Sequence, residues 1–479
     1  MTVIPPFIKG AGVLFAGHAG GQVLGLLRNL MVARLVSPED FGVAATFAAL
    51  LSILDGISDM AWDKLLIQAK DGNDQDLMAS VHALNLLRGM VLSLLLLFNA
   101  GFLAALFGVP EAETAFAWLA IVPLVRGLSH LDPKRFQRDL RFTPEVVVSL
   151  TSHLMGLVVA VGLAWWLGDY RAMLWGLVAQ AVGHAMISQL LAERGYRVGW
   201  SRPRLKQIMV FGWPLLLNGM VIAIGNQGDR LLVGAQLGMG DLALYAATAM
   251  LINVPGLLLL RVMGGASLPW LAACQEDRAL FVQRFRTLGA ALAVITIVTF
   301  VPMILIGTEV VVLVFGDNFR APVLLMGWLA LGYGFKLLKA WPVATSLALG
   351  DTRNVLIGNV VRPLGLIAAA LVLHQGGDMI EAAAALVIGE VIALVVSIWR
   401  LAMVSKLPVL PELGLMMLAT SFCAAAVWVL WWMGDGLALT TALMWAIALT
   451  AIGSLVVIAA SIPLRQLIGQ QAAQWKRRA

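Results

Sequence analysis

Apolar residues in this chain gather into long runs separated by short polar stretches, with little alternation at the period of a strand. A run needs roughly 20 residues to cross about 30 Å of hydrocarbon as a helix, and open strand edges cannot be satisfied there. The runs fall at 10–35, 41–62, 79–107, 115–133, 145–167, 172–192, 208–236, 242–271, 286–314, 321–349, 354–373, 380–404, 412–433 and 438–462. The pattern predicts an all-α polytopic membrane protein of about 14 transmembrane helices. The first run follows only Lys9, carries Arg28 and exceeds a signal-peptide core, so it reads as a retained helix.

Fourteen helices return both termini to one side and sort the loops into two sets. One set holds 22 of the 33 Lys and Arg residues, including Lys134, Arg135, Arg138 and Arg141 after the fourth run and Arg194, Arg197, Arg202, Arg204 and Lys206 after the sixth; the other holds Arg34, Arg171 and Arg320. Under the positive-inside rule the richer set is cytoplasmic, and so are both termini.

Composition narrows the class. With 60% hydrophobic and 13% charged residues in 479, and a mean hydropathy of +0.89, the chain is not a soluble globular protein, in which about 25% would be charged. The net charge of +6 is not concentrated in a block that would grip nucleic acid. Two cysteines, Cys274 and Cys423, exclude a disulfide scaffold, and no phosphate-binding loop, H-E-x-x-H or paired C-x-x-C occurs, so no cofactor or metal is expected. Hydrophilic connections of at most some 15 residues are too short for a catalytic domain, which argues against a membrane polymerase or ligase and for a transporter.

The chain also repeats. Shifted by 202 residues, Arg28–Leu50 matches Arg230–Ile252 at seven of 23 positions, and at an offset of 209 Gly156, Leu157, Ala160, Gly168 and Asp169 match Gly365, Leu366, Ala369, Gly377 and Asp378. The expected organisation is an N-terminal lobe of helices 1–6 over residues 1–202 and a parallel C-terminal lobe of helices 7–12 over 203–405. Residues 406–479 add helices 13 and 14 and a basic amphipathic tail, Leu464 to Arg478.

Eight basic residues lie inside the runs: Arg28, Arg88, Arg126, Arg230, Arg261, Arg362, Lys336 and Lys339. Five acids face them: Asp55, Asp59, Asp229, Glu309 and Glu390. A charge at a helix centre costs roughly 2.5–3.5 kcal/mol, so such groups face a cavity or a partner. A net-basic interior suits a diphosphate, which the planar fork of Arg binds in a bidentate way. The bland reading is that these cations reach to the interface or pair with Asp55, Asp59 or Glu390. Asp55 and Asp59, spaced i,i+4, together with Asp229 and Glu390 are candidates for ion coupling, with plain salt bridging as the alternative. His153 and His184 divide likewise between proton relay and structural hydrogen bonding. Pro214, Pro255, Pro302, Pro342 and Pro363 mark bends, either mobile or static.

Three motifs resemble a known family. Arg34-Leu-Val-Ser-Pro-Glu-Asp-Phe-Gly42, Arg138-Asp-Leu-Arg-Phe142 and Gly228-Asp-Arg-Leu-Leu-Val-Gly234 are similar to the corresponding stretches of Wzx-type polysaccharide flippases. These belong to the polysaccharide transporter branch of the multidrug/oligosaccharidyl-lipid/polysaccharide exporter superfamily. The resemblance implies two six-helix lobes around a central cavity, no enzymatic activity, and a place in the bacterial inner membrane. The implied substrate is an undecaprenyl-diphosphate-linked oligosaccharide, moved to the outer leaflet by alternating access. Implied partners are membrane lipids, a polysaccharide polymerase and chain-length proteins. A peptidoglycan lipid-precursor flippase and a cation-coupled drug exporter are the alternatives; the latter calls for an acidic interior.

Overall fold

A computed structural model describes residues 6–434 and 438–466, and among them every regular element is helical. The chain divides into two units, Met1–Ala243 and Leu244–Ala479. The first contains α1 (Pro6–Ala33), α2 (Pro38–Ser58), α3 (Trp62–Gln68), α4 (Gln75–Phe98), α5 (Ala100–Leu106), α6 (Glu113–Leu119), α7 (Ile121–Gly127), α8 (Asp132–Arg135), α9 (Thr143–Leu167), α10 (Arg171–Leu190) and α11 (Arg202–Leu237). The division falls within α12 (Met239–Ala272). The second unit continues with α13 (Arg278–Phe315), α14 (Val323–Leu338), α15 (Ala340–Ala348), α16 (Arg353–Val361), α17 (Leu364–His374), α18 (Met379–Ser405), α19 (Leu410–Met433) and α20 (Leu439–Ala460).

Helix occupies each of the fourteen apolar runs. Among the described residues eleven helices are long and apolar enough to cross a bilayer, or twelve if the bent pair 110–127 and 132–139 is one span. α10 falls short because Gln180, His184 and Gln189 interrupt its apolar sequence. The amphipathic tail expected from Leu464 lies, from residue 467 onward, outside the described residues.

Local chemistry explains where helices start and break. Ser37 accepts a hydrogen bond from Asp40 N ahead of Pro38 at the first turn of α2, Asp74 does the same for α4, and Asp378 with Glu381 forms a capping box on α18. Proline removes an amide donor and clashes one turn back. Accordingly α6 gives way to α7 at Ala120, three residues before Pro123, and α14 to α15 at Lys339, three before Pro342. Pro363 separates α16 from α17, whereas Pro214, Pro255 and Pro302 sit inside continuous helices.

α11, the seventh run, packs along α2, and the first unit extends to Ala243. Within that unit α9 also packs on α1 and α10, and α4 on α7. In the second, α13 carries α14, α19 and α20, while α18 packs on α17 and α14. Gly56 and Gly219 let α2 and α11 approach so closely that a Cβ on Gly219 would sit 2.7 Å from Gly56 O. In the first turns of α11, Arg204 and Gln207 hold Asp71 of the α3–α4 loop. The Gln207 amide, and after it the Arg204 charge, holds the Asp71 carboxyl below its ordinary value of 3.8, so this tie is present above that pH and is lost as acid protonates the carboxylate.

Candidate functional site

In the first unit three helices bring one acid and two bases together. Arg88 of α4 donates from Nη2 to Asp55 Oδ1 at 3.1 Å and from Nε to Ser58 Oγ at 2.8 Å, while Arg126 of α7 donates to the other carboxylate oxygen, Oδ2. Trp62 lies under the Arg88 guanidinium at 5.8 Å. Each arginine precedes a glycine, Gly89 and Gly127, and these two positions let α4 and α7 touch: a Cβ on Gly89 would stand 2.5 Å from Pro123 O. Close backbones thus set the spacing of the two cations on Asp55.

The second unit pairs an acid with one base on other helices. Arg362, at the Pro363 break, donates from Nε to Glu390 Oε1 of α18. Lys339, at the α14–α15 break, lies within electrostatic reach of both. Glu390 is buried, and its Oε2 has no hydrogen-bond partner among the described residues. Gly389 beside it packs against Arg362 O, with 2.4 Å left for a Cβ, and Gly365 packs against Leu386 O with 2.7 Å. Gly389→Ala must therefore push α17 from α18, and a loss of about 1–3 kcal/mol in thermal unfolding is expected; unchanged stability would refute the close approach.

Of the other basic candidates, Arg28 lies within electrostatic reach of Arg126, and the rest sit elsewhere on the helices. Arg28 is buried on α1, donating from Nη1 to Gln180 Oε1 at 2.6 Å, and Arg230 on α11 donates to Gln227 Oε1 at 3.2 Å. Lys336 stands over the Tyr333 ring at 4.9 Å, and Tyr333 donates to Asn253. Arg261 is exposed on α12. Asp229 is half-buried on α11 beside Arg230. Asp59 departs from the sequence reading, because α2 ends at Ser58 and Asp59 is its extended C-cap, with Oδ1 accepting from Ala61 N at 2.8 Å. It shares no helix face with Asp55 and serves a turn. His153 Nδ1 lies 2.7 Å from Ser149 O, and His184 Nδ1 3.1 Å from Ser129 Oγ.

A second polar cluster of the first unit escaped the sequence reading. Asp132 is fully buried, taking Arg135 Nε on Oδ1 at 2.7 Å and the amides of Glu193 and Arg194 on Oδ2 at 2.9 and 3.0 Å. His82 Nε2 accepts from Leu131 N at 3.3 Å, which leaves its Nδ1 to donate to Arg197 O at 3.1 Å, and its ring stacks on Tyr196 at 4.4 Å. These contacts lock the loop before α8 to the loop after α10. Buried Glu145 and Glu412, paired with Lys134 and Arg286, were also unforeseen. Their signal was available: each is the Glu of an x-Pro-Glu helix start, Thr143-Pro-Glu and Leu410-Pro-Glu, the pattern that also opens α2.

Comparison with solved structures places this architecture. The lipid II flippase MurJ superposes with a TM-score of 0.66 over 96% of this chain and 100% of that one at 16% identity. A multidrug resistance transporter of the MATE family, MOP superfamily, matches with a TM-score of 0.55 over 81% and 96%, also at 16% identity. The fold is thus shared with these two polytopic helical proteins. The family model described as "Polysaccharide biosynthesis protein" matches residues 31–324, and the chain belongs to that family. Similar curated proteins are the succinoglycan biosynthesis transport protein ExoT of Rhizobium meliloti (26% identity over 52% of this chain and 50% of that protein) and the teichuronic acid biosynthesis protein TuaB of Bacillus subtilis (22%, 73% and 73%). The lipopolysaccharide biosynthesis protein WzxC of Escherichia coli matches at 21% over 62% and 61%. The chain spans about half the length of ExoT. The resemblance to Wzx-type flippases holds.

Proposed function

We propose that the chain moves a polyprenyl-diphosphate-linked oligosaccharide across the bacterial inner membrane for polysaccharide biosynthesis, by alternating access and without enzymatic chemistry. The observation that carries this reading is the pair of clusters in which a carboxylate holds bases of the membrane helices, Arg88 and Arg126 on Asp55 and Arg362 on Glu390 with Lys339 within electrostatic reach. A carboxylate holds the bases in register when the site is empty, and an incoming diphosphate competes for their remaining donors. A drug exporter for organic cations fits such bases poorly. The names of the family and of ExoT, TuaB and WzxC support the polysaccharide pathway, and the MurJ-like fold supports a lipid diphosphate as cargo.

The test is transfer in liposomes. The full chain, reconstituted with a fluorescent undecaprenyl-diphosphate oligosaccharide, is expected to expose the probe on the opposite leaflet. Transfer of the peptidoglycan precursor alone would replace the polysaccharide reading, and transfer of neither would end it.

Topology is tested separately. With the termini cytoplasmic, Arg171→Cys should react with an impermeant maleimide added to intact cells while exposed Arg202→Cys stays unlabelled. The reverse pattern would invert the orientation.

A further inference from the structure

The second unit contains a cavity of about 270 Å³ where α13, the start of α19 and the end of α20 meet. Its polar wall is Arg286, Glu412 and Ser461, and its apolar wall includes Leu415, Leu418 and Val456. Glu412 has a side chain only 2% exposed, and Oε1 accepts from Arg286 Nε at 2.8 Å. Its other oxygen, Oε2, is buried without a hydrogen-bond partner among the described residues. Gly289 makes room for this side chain, since a Cβ there would lie 3.1 Å from Glu412 Cγ. A buried carboxylate satisfied on one side only is costly, and its retention calls for a donor. Arg286, with 35% of its side chain exposed, engages Glu412 through Nε and presents the rest of its fork outward.

We infer that this cavity binds the headgroup of an aminophospholipid, with the phosphate on Arg286 and the primary ammonium on Glu412. The two protein charges cancel, so a purely anionic headgroup would gain Arg286 and be repelled by Glu412, whereas a zwitterion satisfies both. The ammonium must carry N–H donors to fill Oε2, which selects ethanolamine over choline. The walls and their setting agree: Leu418 and Val456 continue into lipid-length helices, Leu410–Met433 and Leu439–Ala460, whose Met417, Ile447 and Leu455 are exposed, as acyl chains require. This site is separate from the clusters on Asp55 and Glu390 and does not depend on their role.

The experiment uses the purified full chain in detergent, with phosphatidylethanolamine, phosphatidylcholine or phosphatidylglycerol of equal acyl chains, and counts retained lipid by native mass spectrometry. Retention of phosphatidylethanolamine over phosphatidylcholine by roughly tenfold or more is expected, the effect of one charge-assisted hydrogen bond. Glu412→Gln should erase the preference. Ala460→Phe, which fills the cavity from its lipid-exposed rim while keeping the ion pair, should erase it too and guards against a folding defect in the first variant. Equal retention of the two zwitterions, a preference for phosphatidylglycerol, or a preference that survives both substitutions would overturn the inference.

Discussion

Arg126→Gln is expected to lower polysaccharide export by roughly 10- to 150-fold at parental membrane abundance, if its guanidinium contributes the 1.5–3 kcal/mol of a charge-assisted hydrogen bond to a diphosphate. The protein itself should fold, because Asp55 keeps Arg88 as its partner after the change. Arg126→Lys should lose less, having kept the charge but not the fork. Arg171→Gln, which removes only an exposed pair with Asp169, is the control and should export normally. Complementation of a strain lacking its own polysaccharide exporter reads all three. Full export by Arg126→Gln at normal abundance would reduce the cluster to a structural ion pair.

Asp132→Ala should produce the largest loss of stability, about 3–5 kcal/mol, since it removes the buried partner of Arg135, leaving it only Glu193 and Asn73, and uncovers two backbone amides at once. The expected readout is a lowered unfolding midpoint in detergent and reduced membrane abundance, with any export defect tracking abundance. Asp132→Asn retains an acceptor for the Glu193 and Arg194 amides and should lose less. If Ala and Asn variants unfolded with the parent, the buried network would not be what holds the α7–α8 and α10–α11 connections together.

The helices were legible because the bilayer imposes one rule on every span, a run of about 20 apolar residues, and each run from 10–35 to 438–462 contains helix. What the rule ignores was not legible. Hydropathy does not register that α14 stops at Leu338 and α15 begins at Ala340, although Pro342 marks the place. The cations inside the runs stand out by their cost, but Arg88 and Arg126 lie 33 and 71 residues from Asp55 and Arg362 28 residues from Glu390, and no local pattern specifies such pairings. Asp59 shows the opposite failure. The i,i+4 spacing from Asp55 runs one residue past the end of α2, where Asp59 caps a turn and shares no helix face with Asp55. Packing of α11 on α2 rests on Gly56 and Gly219, two residues that composition alone makes unremarkable among 47 glycines.

The glycines flanking the charges separate two kinds of change open to this protein. Gly89, Gly127, Gly365 and Gly389 hold helix backbones at contact, and no larger residue fits without moving a helix. The charged side chains next to them meet no such steric limit. A descendant lineage can exchange Arg for Lys or Gln, one position at a time, and try a new cargo on an unaltered frame. Altering a glycine instead displaces every charge on the helix together. Substrate range should therefore drift through residues 88, 126, 362 and 390, while their glycine neighbours stay put across proteins that export very different sugars.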